Sequence, residues 1–261
     1  MLTQETCCHL GRELFLAMET RQPVPALTDR LPDMDLGDAY AISRAFLDQR
    51  LQGNGERVIG KKIGVTSQAV QDMLGVFEPD FGFLTDAMLI RNASVETGRL
   101  IQPRAEAELA FVLKQDLQGP GVTAEQVLEA TDYVTPCFEI VDSRIEGWKI
   151  KIQDTVADNA SCGVFVLGRD RVDPRNVDLS ACVVKVHKNG RFLSEGRGAA
   201  VQGAPQNAVA WLANTLGAFG IPFKAGEIIL SGSLVPLEPV EPGDVLHMSV
   251  PGIGEAKVQF K

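Results

Sequence analysis

Histidine is scarce in this chain, with three residues at positions 9, 187 and 247. That leaves little for a histidine-rich metal centre or a Ser-His-Asp triad. Aromatics make up 6%, whereas glycine contributes 25 residues, a balance that favours short strands joined by turns. The five cysteines (7, 8, 137, 162 and 182) are odd in number and show no C-x-x-C spacing. They fit reduced thiols better than disulfides or a zinc site. No apolar run approaches the roughly 18 residues of a membrane helix. The stretch Met1-Leu-Thr-Gln-Glu-Thr-Cys-Cys-His-Leu10 lacks the basic start and apolar core of a secretion signal, so a cytoplasmic location is expected. No block of consecutive basic residues occurs and the net charge is −9, which argues against a nucleic-acid partner.

Hydrophobic content of 45% with 23% charged residues suits a globular chain that buries a sizeable core. Leu10, Leu14, Phe15 and Met18 lie at helical spacing within residues 3–20, and Ala39, Ile42, Phe46 and Leu51 do so within 37–52. Arg57 to Thr66 reads as a strand whose one face carries Gly60, Lys62 and Gly64. Glycine in a strand marks close approach by a ligand or another backbone, so Lys62 rather than Lys61 is the candidate functional ammonium. Glu78-Pro-Asp-Phe-Gly82 reads as a turn in which Asp80 serves an Asx turn by default.

The most informative stretch is Gln102-Pro-Arg-Ala-Glu-Ala-Glu-Leu-Ala-Phe-Val-Leu113. As a strand it puts Glu106, Glu108, Ala110 and Val112 on one face and Ala105, Ala107, Leu109, Phe111 and Leu113 on the other. Both faces are apolar beyond the acids, so the carboxylates point into a covered region and need a counter-charge or protons. A second strand, Thr135–Asp142, places Glu139 beside Cys137 and Val141, another acid among apolar neighbours. Three carboxylates suit an octahedral Mg²⁺ or Mn²⁺ ion. Asp142, on the opposite face, reads as structural. The polar run Asp154-Thr-Val-Ala-Asp-Asn-Ala-Ser-Cys-Gly163 precedes an apolar strand, Val164–Leu167, a good place for ligand contacts. Strands at 183–187 and 191–194, a helix at 205–216, a segment at 227–234 and a last strand pair split by Pro251-Gly252 complete the chain.

Gly60-Lys-Lys-Ile-Gly-Val-Thr-Ser67, Pro79-Asp-Phe-Gly82, Gln102–Glu108, Glu139-Ile-Val-Asp-Ser-Arg144, Asp154–Gly163 and Ile229-Leu-Ser-Gly-Ser-Leu234 resemble, in the same order, the 2-oxopent-4-enoate hydratases of the fumarylacetoacetate hydrolase superfamily. The resemblance implies an α+β fold: a mixed β-roll core over 57–261 with a helical segment, 1–56, packed on it as one compact unit. It implies a divalent metal, Mg²⁺ or Mn²⁺, on Glu106, Glu108 and Glu139, and catalytic roles for Lys62 and Asp80. The superfamily's hydrolases use a histidine near the start of the core, and none is suitably placed here. The 4-oxalocrotonate decarboxylases share the three acids and Ala157-Asp-Asn-Ala-Ser161; the Pro79–Gly82 turn favours the hydratases.

The expected reaction adds water to 2-hydroxypenta-2,4-dienoate, a small anionic substrate of meta-cleavage degradation of aromatic compounds, to give 4-hydroxy-2-oxopentanoate. Lys62 would stabilise charge or act as an acid, Asp80 would orient or deprotonate water, and the division between them stays open at this level. Ser161 and Ser231 are candidates to hydrogen-bond the substrate carboxylate. The resemblance further implies a homo-oligomer. The other readings are a decarboxylase of 2-oxohex-3-enedioate, or a partner subunit bound to such a decarboxylase.

Overall fold

The two long helices in the first 56 residues start at side chains that accept otherwise unpaired amides. The computed structural model describes the backbone of residues 1–261 and all side chains except those of Ala69, Met73 and Leu74. The Thr3 hydroxyl accepts from Thr6 N at the start of α1 (Gln4–Thr20). After the single turn α2 (Leu27–Arg30), a capping box between Asp35 and Asp38 opens α3 (Leu36–Gly53). Both long helices match the expected spans within a residue. They cross at Gly11, where a Cβ would lie 2.7 Å from Ala45 Cβ and 2.7 Å from Phe46 N.

The core begins with β1 (Val58–Gly64), α4 (Gln68–Leu74), β2 (Asp80–Thr85), β3 (Ser94–Val95) and β4 (Pro103–Leu113). It continues with α5 (Ala124–Ala130), β5 (Thr131–Asp142), α6 (Ile152–Ala157), β6 (Cys162–Leu167), β7 (Val183–Lys188), β8 (Arg191–Arg197) and α7 (Pro205–Gly217). Strands β9 (Ile228–Leu230), β10 (Glu238–Pro239), β11 (Val245–Val250) and β12 (Gly254–Phe260) complete it. One sheet runs β2-β1-β9-β4-β5-β6, with β10 added to β4; the other runs β3-β12-β11-β7-β8. The first is mixed, since β1 pairs parallel with β9 but antiparallel with β2.

Alternation along β4 divides the protein's interior. Ala105, Ala107, Leu109, Phe111 and Leu113 join Leu246, Met248, Val258 and Phe260 of the other sheet in the main core. Ala110 on the opposite face joins Cys137, Cys162, Phe165 and Leu230. The helical segment closes a third cluster with Ile145, Val156 and Ala157, and Tyr40 of α3 stacks on Phe81 at 4.5 Å between ring centroids. Residues 1–56 therefore share apolar surface with the core. The five cysteines are free thiols. Among the described residues, no helix is long and apolar enough to cross a membrane.

One local expectation is corrected. Asp80 does not sit in a turn; it opens β2, paired with Gly64 of β1. Pairing with Gly64 extends the strand to Asp80, whose carboxylate lies where a Gly64 side chain would stand, a long-range contact that turn composition cannot register.

Gly11→Ala forces α1 from α3, an overpacking that costs about 1–3 kcal/mol. The expected result is a single thermal transition lowered by roughly 2–10 °C. A separate early transition would make residues 1–56 an independent domain rather than part of one unit.

Candidate active site

Antiparallel pairing sets Glu106 of β4 directly opposite Glu139 of β5, and Glu108 opposite Cys137. Like charges facing across strands repel, and here water does not screen them: Glu106, Glu108 and Glu139 are 5%, 0% and 1% exposed. Each offers a carboxylate oxygen, and these oxygens lie within 4.8 Å of one another. One oxygen of Glu108 is satisfied by Gly232 N at 2.8 Å. Among the described residues, Glu108 Oε1 and Glu139 Oε2 have no hydrogen-bond partner, and Glu139 Oε1 has only the Lys62 ammonium at 3.4 Å. A hard cation with oxygen bonds of about 2.0–2.6 Å spans a cluster of this size. The buried orphan oxygens and the all-carboxylate donor set fit a divalent metal.

Lys62 reaches the same cluster from β1, its Nζ 3.4 Å from Glu139 Oε1. Both lysines of the Gly-Lys-Lys-Ile-Gly run are buried, but they diverge with the strand: Lys61 pairs with Glu227 beside Phe223. The two glycines have separate reasons. A Cβ on Gly60 would strike the Ile228 carbonyl of β9, and a Cβ on Gly64 would strike Asp80 Oδ1 and lie 3.3 Å from Lys62 Nζ. Lys62 and Asp80 thus converge on the space Gly64 leaves. Asp80 is 1% exposed; Thr155 Oγ1 of α6 donates to its Oδ2 at 3.0 Å, and Oδ1 is unpaired.

Four carboxyls therefore meet one ammonium. Burial above all, then the charge of Glu139, pushes Glu106 up to about 8 despite Lys62. Burial, then Glu139 and Glu106, drives Glu108 well above the carboxylate range. Glu139 and Asp80 are also raised by burial, with Lys62 pulling each back. Burial is the largest single influence on the Lys62 ammonium and works against it, yet the negative groups around it, Glu139 foremost, together outweigh burial and hold the pKa well above the lysine range.

The polar run at 154–163 is ordered by two clamps. Asn159 donates to Phe83 O at 3.0 Å and accepts from Phe83 N at 2.8 Å, tying the turn to β2. Arg144, 1% exposed, binds Asp158 through its backbone and guanidinium and also reaches the Cys162 carbonyl at 2.7 Å. These bonds hold Asn159, Ala160 and Ser161 at φ near +51°, a left-handed run that costs roughly 1–2 kcal/mol per residue. Ser161 lines the acid cavity, but its hydroxyl lies 3.3 Å from Asp158 Oδ2. Asp142 accepts from Ile101 N and Gln102 N and is structural, as expected.

Lys62, Asp80, Glu106 and Ser161 line one cavity, with Glu108 and Glu139 alongside Glu106. Ser231 is fully buried with its hydroxyl unpaired, next to the Gly232–Glu108 contact, but is not among the cavity-lining residues. Val70, Trp148 and Leu237 line the cavity and carry no functional signal in the sequence, whereas Thr155, also in the lining, belongs to the polar run at 154–163. Thr66 and Ser67 also hold buried, unpaired hydroxyls; their place in the Gly60–Ser67 motif was the available hint. A larger surface groove of about 1000 Å³, around His187 and His247 on the second sheet, lies apart from these acids.

Residues 61–261 match the family model of the fumarylacetoacetate hydrolase C-terminal domain. The chain is 60% identical over 253 residues to a 2-hydroxyhexa-2,4-dienoate hydratase of Comamonas testosteroni, covering 96% of each. It is 63% identical over 214 residues to a 2-hydroxypent-2,4-dienoate hydratase of Pseudomonas putida, covering 81% of this chain and 96% of that one. A solved 4-oxalocrotonate decarboxylase from Pseudomonas putida G7, complexed with magnesium and adipate, superposes with a TM-score of 0.94 at 35% identity, covering 100% of this chain and 99% of that one. The chain belongs to the fumarylacetoacetate hydrolase family.

Without a cation the folded protein holds protons that the unfolded chain releases, so stability falls as pH rises from the ordinary 4.5 to about 8. Mg²⁺ or Mn²⁺ is therefore expected to raise the melting temperature more at about pH 9 than at about pH 6. Glu139→Gln should abolish most of that gain. A metal effect independent of both pH and Glu139 would remove the cluster as the binding site.

Proposed function

We propose that this protein is a divalent-metal-dependent hydro-lyase that converts 2-hydroxypenta-2,4-dienoate and water to 4-hydroxy-2-oxopentanoate in the breakdown of aromatic compounds. The observation that carries this reading is identity of 60% over 96% of the chain to a dienoate hydratase, against 35% to the decarboxylase. Glu106, Glu108 and Glu139 would hold the ion, Mg²⁺ or Mn²⁺. When bound, it supplies a Lewis acid for the carboxylate and 2-oxygen end of the substrate.

The chain's own residues divide the remaining work by their surroundings. Lys62, kept protonated by Glu139, is a fixed positive charge for the oxyanion that develops at the substrate's 2-oxygen. It is unsuited to act as a base. Asp80 is the proton carrier, since burial brings its two protonation states closer in energy at neutral pH and its Oδ1 is free. Ketonisation removes the 2-hydroxyl proton and places one on C5. Hydration then puts hydroxide on C4 and a proton on C3, with Asp80 taking the proton from water. Thr155 orients Asp80 through its 3.0 Å bond to Oδ2. Ser161 contacts the substrate carboxylate only by turning its hydroxyl from Asp158, and Ser231 is the weaker contact because it stands off the cavity.

Decarboxylation is the second reading, supported by the superposition at a TM-score of 0.94. Homo-oligomerisation and a complex with such a decarboxylase are part of the proposal, and co-purification with sedimentation analysis tests both.

Chelator-stripped protein resupplied with Mg²⁺ or Mn²⁺ is expected to consume the dienoate and release no CO₂ from 2-oxohex-3-enedioate. Asp80→Asn should lower kcat about 10²–10⁴-fold with metal binding retained. Full hydration by that variant would strike Asp80 from the mechanism, and CO₂ release at a comparable rate would favour the decarboxylase.

A further inference from the structure

Beyond the acids, the cavity has an apolar side made from three separate parts of the chain. Val70 of α4, Val141 of β5 and Leu237 beside β10 form one buried cluster, and Trp148 packs against it. Val141 is two residues from Glu139 on the same strand face, roughly 6.6 Å along the strand, about the distance from the head to the tail of a five-carbon acid. The free space is about 20 Å³, room for about one water. A tail that extends away from the acids meets this wall, since Val70, Val141, Trp148 and Leu237 line the same cavity as Glu106.

Trp148 is held there deliberately. Its backbone adopts φ 56°, directly after Gly147 at φ 63°. Gln102 secures the turn: Gly147 N donates to Gln102 Oε1 at 3.0 Å, and the indole Nε1 donates to Gln102 O at 3.0 Å. Arg104, on the same face of β4 as Glu106, stacks its guanidinium 4.5 Å from the Trp148 ring centre. Among the described residues it has no acid partner.

We infer that Val70, Val141, Leu237 and Trp148 form the specificity wall for the substrate's tail, selecting a short uncharged tail over one ending in a carboxylate, and that Arg104 is a positioning residue clamping the indole. The inference rests on the proposed dienoate reading for which end of the substrate faces the wall. A carboxylate against this wall would lose its hydration, and the one cation among the residues lining the cavity is Lys62 at the acid end, Arg104 lying behind the indole and outside the lining.

Binding of unreactive saturated acids tests it without turnover. Calorimetry on the Mg²⁺-loaded protein is expected to show 2-oxopentanoate and 2-oxohexanoate binding at least about tenfold tighter than 2-oxohexanedioate. Leu237→Arg should reverse that order, and Trp148→Ala should improve 2-oxooctanoate relative to 2-oxopentanoate by about tenfold or more. Arg104→Met should weaken all of these acids by a similar factor. Equal or tighter binding of the diacid by the unaltered protein overturns the inference, as does an Arg104→Met loss confined to the diacid, which would make Arg104 a carboxylate reader. Unchanged ratios in both Leu237→Arg and Trp148→Ala overturn it too. The expected ratios without dienoate turnover would leave the wall standing and remove the hydratase reading instead.

Discussion

Four carboxyl groups and one ammonium occupy a buried space at the protein's centre, and this imbalance governs it. Glu106, Glu108, Glu139 and Asp80 are each no more than 5% exposed, and among the described residues Lys62 is the one cation lining their cavity. Desolvated like charges this close do not persist as such. Either protons or a cation must occupy the cluster: burial raises all four carboxyls, Glu106 to about 8 and Glu108 well above the carboxylate range. Glu106, Glu108 and Glu139 would hold a divalent ion in place of protons, and its positive charge would then be available to an anionic substrate.

The fold serves this arrangement through a small number of backbone decisions. Strand β4 separates the apolar inter-sheet core from the acid face simply by alternation. Antiparallel register brings Glu139 opposite Glu106, and the missing side chain of Gly64 gives Asp80 its place. The left-handed turn at 159–161 stores strain that Asn159 and Arg144 offset through their hydrogen bonds. The helical segment contributes at a distance, packing behind α6, which carries Thr155 to Asp80.

Much of this was legible from residues alone. Alternation in 102–113 gave both faces of β4 correctly, because a strand's period of two is local and the acids interrupt an otherwise apolar pattern. Glycine flanking Lys62 separated it from Lys61, since a missing side chain records what stands in its place. Asp80 was read as part of a turn because Pro79 and Gly82 are turn formers, whereas pairing with Gly64 decided its conformation. Trp148, Leu237 and Val70 were illegible as a site: they come from a 3₁₀ turn, the approach to a two-residue strand and a short helix, and meet only in three dimensions. The uncommitted hydroxyls of Thr66 and Ser67 were hidden for a related reason, since only the folded environment shows that nothing local satisfies them.

The account's central claim is that the buried acids hold protons which a divalent cation displaces. Calorimetric titration of Mn²⁺ into the metal-free protein near neutral pH, repeated in two buffers of different ionisation enthalpy, measures that exchange directly. Release of about one or more protons per bound ion, lost together with binding in Glu139→Gln, is the expected result. Tight binding without proton release would contradict it, because the acids would then be ionised in the metal-free protein and the constraint that organises the site would be absent.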